Sequence, residues 1–514
     1  MRDVPPSACG AALLLLLRWD SQKRLPIEGL VGQFLDDSEL PDRDERFLAE
    51  LCHGVVRHRE TLRALSEHFI DDPLSRYHRS VRMAISLALF QRVYLRTPAT
   101  VVVDSTIEAW KQLPGGGGEH LPEQPKLVSG FLTALLRRTL EHIDHLPLDA
   151  REPDDPECVR CPGGWARIRG LALPPRQVHL ARLLGLKHSH PTEMVRVWLE
   201  RMDEGTVIQL LEHDNCPPPQ FIVLRKDGGS IESYLRKLHV LEIGAKEVGV
   251  GLPEGREDRD MEFGAQIEGT TAMAAEEGPF GAEEMEPGGA DAAPLRCIEL
   301  PHGTRVERLP GYDEGLIWVQ DPTARRITLS LPEREHATLL DLCASPGGML
   351  ATLLDRGDYR EVLACDVSEH RLRSLAVHLQ RLRFDLGKVS VTEVPEDPER
   401  LRVDHTFDQV LVDPPCSGTG VLARHLEARW RFLPEELRRL QRLQIGLLRA
   451  GVAHLAPGGD LLYCTCSIEP VENSSVVHAV LRSSPQLHLV QEWEIIPGEG
   501  DADGGYGALL KRRE

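Results

Sequence analysis

No early segment of this sequence is apolar for long enough to cross a bilayer as a helix. The notable run near the start, Ala11 to Leu17, falls far short of the roughly 20 residues that a spanning helix needs. A secretory leader is not indicated either: one arginine stands against one aspartate ahead of that run, and no small-residue cleavage site follows it. The run is therefore expected to be a buried first helix, in a cytoplasmic protein with no membrane partner. Zinc ligands are also too few. Cys158 and Cys161 have knuckle spacing, but no second Cys/His pair follows at finger distance, so no metal is expected. The eleven cysteines, several inside apolar strands, are read as reduced thiols rather than a disulfide framework.

Positive charge is scarce, and a net charge of -20 argues at first against a polyanionic partner. Half of that charge is local: residues 251–294 hold twelve acidic and two basic residues. The same stretch is rich in Gly, Ala and Glu and carries Met261, Phe263 and Phe280 as isolated apolar residues without periodicity. It cannot bury enough surface to offset its chain entropy and is expected to be a disordered insert.

At 514 residues the chain is too long for one core and is expected to form about three domains. Residues 10–145 show helical apolar spacing, with a last helix over 126–143. A glycine loop at 115–118, flanked by Pro114 and Pro122, interrupts it, and the Pro/Asp-rich stretch 147–157 closes an all-α domain over 1–150. His53, Arg57, His58, Arg59, Arg63, Arg76, His78, Arg79, Arg82, Arg137 and Arg138 concentrate there. They read either as solvated helix faces or as a phosphate-contacting face for RNA. Residues 165–320 are mixed, with a helix at 191–201, strands at 221–224 and 295–300, and a helix at 231–237. From Thr338 onward, apolar strands alternate with helices, the pattern of a parallel sheet covered on both faces. Residues 321–514 are expected to be a Rossmann-like, doubly wound α/β domain.

Four strand ends in that domain carry chemistry, because ligands of open parallel sheets bind outside the carboxyl ends of the strands. The first strand runs into the turn Cys343, Ala344, Ser345, Pro346, Gly347, Gly348, Met349. This turn lacks the Gly-x-Gly-x-x-Gly of dinucleotide folds and the Gly-Lys-Ser/Thr of phosphate loops, so phosphate is not the obvious ligand. Two glycines at a helix start permit close backbone approach, and Asp366 closes the next strand, where a carboxylate can accept from ribose hydroxyls. Together these features suit S-adenosylmethionine. Each alone reads equally well as an ordinary connection and a helix cap.

Asp413 ends a later strand, Pro414-Pro415 bends the backbone, and Cys416 sits at the bend; Cys466 lies just past the next strand. A lone cysteine of this kind is usually a buried small hydrophobe. Two, each followed by serine and placed at a strand end, point to catalysis. Carbon 5 of cytosine is a poor nucleophile until a thiolate adds to carbon 6 and breaks the aromaticity. A carboxylic acid near ring nitrogen 3 stabilises the adduct, and a second group must remove the carbon 5 proton so that the thiol can leave. Cys466, Asp413 and Cys416 match these needs.

Asp413-Pro414-Pro415-Cys416-Ser417 and Thr465-Cys466-Ser467, behind the Cys-Ala-x-Pro-Gly-Gly turn, resemble the boxes of the RsmB/Nop/Sun family of RNA cytosine-5 methyltransferases. Val319 to Pro322, Arg371-Leu372, Arg424-His425, Glu472-Asn473 and Asp503-Gly504 follow in family order. Asp44 to Leu48 and His53 to Arg57 resemble the NusB-type domain of the bacterial branch. The resemblance implies Cys466 as nucleophile and Cys416 as the residue assisting product release. It also implies S-adenosylmethionine held by the 343–349 turn with Asp366, Arg371 and Asp413, and small-subunit ribosomal RNA as substrate for a monomeric enzyme. Composition and the departures noted next leave a catalytically weak RNA-binding factor, or the same chemistry on transfer RNA, as alternatives. The departures are Met349, where the family usually has lysine, and Arg424-His425-Leu426-Glu427 in place of Arg-His-Pro-Asp.

Overall fold

The computed structural model describes residues 7–21, 26–70, 72–114, 125–147, 155–248, 256–257, 296–498 and 502–514. The glycine loop expected at 115–118, part of the 147–157 stretch, and the acidic insert apart from 256–257 lie outside them.

The described chain opens with helices α1 (Ala8–Ser21), α2 (Ile27–Asp36), α3 (Asp42–Arg57), α4 (Arg59–Phe69), α5 (Arg79–Val93), α6 (Ala99–Lys111) and α7 (Pro125–Leu140). As expected, α1 is buried: Leu13 to Leu17 form its centre and none is more than 2% exposed. Helices α3, α5 and α6 surround it, which is why an uninterrupted leucine run is tolerated in the middle of a bundle. Helix α7 stops at Leu140, short of the expected Ile143, because 143–147 instead forms β1 (Ile143–Pro147). With β2 (Cys158–Cys161) and β3 (Gly164–Ile168) it makes an antiparallel sheet ordered β1-β3-β2. Ile143, Cys161 and Ile168 join the core of the bundle, so the two knuckle-spaced cysteines are packing groups on a strand. These strands are too short for alternation to register in the sequence.

Helices α8 (Arg176–His188), α9 (Thr192–Leu199) and α10 (Glu204–Asn215) follow, of which periodicity anticipates only α9. Then come β4 (Gln220–Leu224), α11 (Ile231–Val240), β5 (Lys246–Val248), β6 (Arg256–Glu257), β7 (Cys297–Leu300) and β8 (Ile317–Val319). Four of these strands form an antiparallel sheet ordered β5-β7-β4-β8.

The remaining elements are α12 (Pro322–Leu329), β9 (Thr338–Asp341), α13 (Gly348–Arg356), β10 (Glu361–Asp366), α14 (Glu369–Arg381), β11 (Val389–Glu393), β12 (Phe407–Val412), α15 (Pro434–His454), β13 (Leu455–Thr465), α16 (Ser474–Ser483), β14 (Leu487–Ile495) and β15 (Gly505–Arg512). The sheet order is β11-β10-β9-β12-β13-β15-β14-β6. The first five strands run parallel, with the order reversing between β9 and β12, where an α/β sheet opens its crevice. Both faces of β9 and β12 are buried, hence their apolar runs. The parallel sheet is thus as expected, but β14 and β15 add antiparallel strands.

The cationic residues of the bundle divide into two sets. Arg63 and Arg76 are exposed but paired with Glu60, Glu67 and Asp72, and Arg137 and Arg138 are exposed. Others turn inward. Arg57 is buried and donates to Ala423 O at 3.3 Å, Arg59 lies over the rings of Trp19 and Trp430, and His58 stacks on Tyr94. Burial pushes His53 down to about 4, so it is uncharged near neutrality. Neither a solvated face nor a phosphate-contacting one describes this inner set; it docks the bundle onto the 421–430 loop.

Arg429 completes that docking. Fully buried, it donates to the carbonyls of Arg57, Ser189, Asp214 and Leu422 and to Asn215 Oδ1, at 2.9 to 3.3 Å. Replacing it with methionine keeps the volume but strands these acceptors, at a cost of about 3 kcal/mol for the set. A lowered thermal unfolding midpoint for Arg429→Met is expected; an unchanged one would remove Arg429 from this role.

Candidate active site

The carboxyl ends of β9, β10, β12 and β13 bring three sequence signals together. Beyond β9, the turn 343–347 leads into α13 through Gly347, whose φ of +104° favours glycine. A Cβ there would lie 2.6 Å from Leu375 Cδ1. The turn is stitched to the end of β10: Ser345 N donates to Asp366 Oδ2 at 3.2 Å, and Arg371 Nη2 donates to Ser345 O at 2.8 Å. Asp366 Oδ1 accepts from Val367 N at 2.7 Å and pairs with Arg371 Nε at 3.1 Å. Sequence reasoning left Asp366 as cap or ligand-binding acid; the structure shows it bracing the turn while also lining a cavity.

Two cavities meet here. One, of about 330 Å³, is lined by the whole turn from Cys343 to Met349, by Asp413, and by a wall of Asp321, Arg424 and Asp503. The other, of about 530 Å³, holds Cys416 and Cys466 together with Asp366, Arg371 and Asp413. Cys343, Ser345, Asp413 and His425 face both. The cofactor residues expected from the sequence therefore divide: Ala344, Pro346, Gly347, Gly348 and Met349 line the first cavity, Asp366 and Arg371 the second. Met349 presents its thioether to the first cavity, 3.8 Å from Cys464 Sγ.

The two thiols touch. Cys416 Sγ and Cys466 Sγ are 3.0 Å apart, and both cysteines are partly exposed to the second cavity. The Cys416 thiol is pushed well above its ordinary value, first by its hydrogen bond to Cys466, then by burial and by the charges of Cys466, Glu472 and Asp413. The raised Cys416 thiol keeps its proton near neutrality, and either sulfur can donate in the contact. Burial raises Asp413 to about 7 against the pull of Arg371, and raises Asp341 to about 8, aided by Asp413 and Asp366. A carboxyl at about 7 can be a neutral hydrogen-bond donor at physiological pH.

Arg424, Glu472 and Gly504, which the sequence marks only as family-order pairs without a role, hold this arrangement together with Gly420. Gly420 N donates to Cys466 O at 3.0 Å and Gly504 N to Gly420 O at 2.8 Å. A Cβ at Gly420 would meet Gly504 C at 2.7 Å. Arg424 bonds Asp503, Asp321 and Pro219 O, closing the outer wall. The buried Glu472 carboxylate sits between the two cysteine loops with Gln444 beside it. The Glu472-Asn473 pair closely following Cys466 was the available signal, since two polar residues ahead of an apolar helix invite a capping reading. Among the described residues no three His, Cys, Asp or Glu side chains gather to hold a metal, and no helix is long and apolar enough to cross a membrane.

A glycine turn, a strand-end acid and a substrate cavity at the switch point of a parallel sheet define a nucleotide-cofactor-dependent transferase. Residues 327–502 match the family model of the 16S rRNA methyltransferase RsmB/F, and residues 10–137 match the NusB family. The chain is an S-adenosylmethionine-dependent RNA methyltransferase whose N-terminal side matches the NusB family. Curated relatives include the ribosomal RNA small subunit methyltransferase B of Vibrio cholerae, 29% identical, covering 92% of this chain and 91% of its own. That of Vibrio vulnificus is 28% identical over 92% of both. Among solved structures, that of PH0851 shares the fold over 99% of both chains, with a TM-score of 0.70 at 16% identity.

The residues around the first cavity fit part of the donor, with helix-start backbone for a carboxylate and the carboxyls of Asp341 and Asp413 for a sulfonium charge, whereas the expected ribose-binding acid, Asp366, lines the adjoining second cavity. Gly347→Ala places a side chain in an unfavourable backbone region that costs about 1 to 3 kcal/mol, and against Leu375. Calorimetry should then show S-adenosylmethionine binding weakened by about tenfold or more. Wild-type affinity would take the turn out of the donor site.

Proposed function

We propose that this enzyme methylates carbon 5 of a cytosine in small-subunit ribosomal RNA through a covalent cysteine adduct. The observation that carries the reading is the 3.0 Å contact between Cys416 and Cys466 above a cavity that Asp413 also lines. The matching family and the named relatives support ribosomal RNA as the target class, and in this reading the enzyme works beside that substrate in the cytoplasm. In this reading residues 1–150 contact RNA, 165–320 link and orient, and 321–514 catalyse.

Bound S-adenosylmethionine supplies an electrophilic methyl group. Cys466 adds as thiolate to carbon 6 of the ring. Neutral Asp413 donates to ring nitrogen 3 as electron density moves there, leaving carbon 5 nucleophilic. After methylation carbon 5 must lose its proton so that the Cys466 sulfur can depart. Cys416, already hydrogen-bonded to that sulfur, sits where it can assist the departure. An RNA-binding factor with a decayed site would have no use for two thiols in contact, so catalysis is preferred over that alternative.

Cys466→Ala should abolish 5-methylcytosine formation on ribosomal RNA, read by bisulfite sequencing. Cys416→Ala should instead accumulate a protein–RNA adduct that survives denaturing gels. Full turnover by Cys466→Ala would end the proposal. The acid role of Asp413 has its own signature. Its carboxyl is neutral below about 7 and ionised above, so single-turnover methyl transfer should decline as pH rises through that value. Asp413→Asn keeps an N–H donor and should lose this alkaline limb, whatever its absolute rate.

A further inference from the structure

We propose that Glu472 is a positioning residue of the active site: its carboxylate ties the Cys416 loop to the Cys466 loop and thereby holds the two sulfurs in contact. The side chain has no exposed surface. Its oxygens accept from Ser417 N at 2.9 Å, from the Ser417 hydroxyl, from Ser467 Oγ at 2.7 Å and from Gln444 Nε2 at 2.9 Å. Two of these donors directly follow Cys416 in sequence, and one directly follows Cys466. Gln444 also donates to Pro415 O at 3.0 Å, so the fourth donor grips the first loop as well. The main chain of Glu472 is held in turn, its carbonyl accepting from the Tyr463 hydroxyl of β13 at 2.6 Å.

Among the described residues no Arg, Lys or His pairs with this carboxylate. A buried anion without a cation is costly unless hydrogen bonds replace its water. Here the replacement donors come from both loops. The ionised group is fully satisfied only while the loops stand side by side, so its solvation cost becomes a restoring force on their separation. The same charge contributes to keeping the Cys416 proton in place. The inference rests on the assignment of Cys416 and Cys466 as the reacting pair, but its geometry can be tested without catalysis.

Diamide takes one hydrogen from each of two thiols and is reduced to its hydrazine form, leaving a disulfide. Its rate of bridging Cys416 to Cys466 in the full chain, followed by peptide mapping, reports the approach of the sulfurs with neither RNA nor donor present. Wild-type enzyme should bridge rapidly. Glu472→Gln, which brings N–H groups to a place already crowded with donors, should slow bridging by about 100-fold, the penalty typical of a misplacement near 1 Å. Ser417→Ala removes one tie while leaving the carboxylate and its other donors, so it should fold normally and slow bridging to a smaller degree. Alkylation of Cys416 by iodoacetamide should shift to lower pH in Glu472→Gln, a change that loss of packing alone would not produce. Wild-type bridging rates in both variants, or an unmoved alkylation profile in Glu472→Gln, would overturn the role. Normal turnover by Cys466→Ala would instead defeat the methylation reading and leave the bridging result standing.

Discussion

One buried guanidinium makes a single molecule of the two ends of this chain. Arg429 reaches carbonyls of α3, of the segments that bracket α9 and α10, and of the loop that follows Cys416. Burial lowers its own proton affinity to about 10, well short of discharging it near neutrality, so the cation stays charged and needs every acceptor it has. Around it, Leu426 enters the core of the helical bundle and Trp430 donates to Val56 O at 3.2 Å. The loop that begins at a catalytic strand end therefore finishes inside the N-terminal domain.

The catalytic cavities show the same economy of position. Four strand ends deliver side chains to one edge, and the electrostatics follow from how little water reaches them. Burial raises Asp341 and Asp413 toward neutrality, and the charges of Asp413 and Asp366 push Asp341 further the same way. A sulfonium donor brings a positive charge into this acidic pocket. Met349 adds a polarisable thioether where the resemblance would have placed an ammonium, which removes one positive charge from the cavity lining.

Much of the catalytic domain was readable from local pattern. Buried parallel strands carry short apolar runs, as at Leu339-Leu340 in β9, Val410 to Val412 in β12 and Leu461-Leu462 in β13, and the turns that bound such runs expose them as strands. Antiparallel β14 and β15 escaped because β14 has one wetted face and an irregular register, so its alternation is broken. The β1–β3 meander escaped for its brevity. The inner arginines and histidines of the bundle misled for a different reason. Composition marks Arg57, Arg59 and His58 as surface residues, but nothing local reveals that another domain covers them.

Sequence alone determined the class of sheet, the glycine turn, and the two cysteine boxes, because each is written within a few consecutive residues whose chemistry acts where they stand. Tertiary structure decided the 3.0 Å approach of the sulfurs, the Glu472 tie and the near-neutral titration of Asp413. Those depend on burial and on contacts between residues tens to hundreds of positions apart, and desolvation is a property of the assembled fold that no short stretch of chain carries by itself.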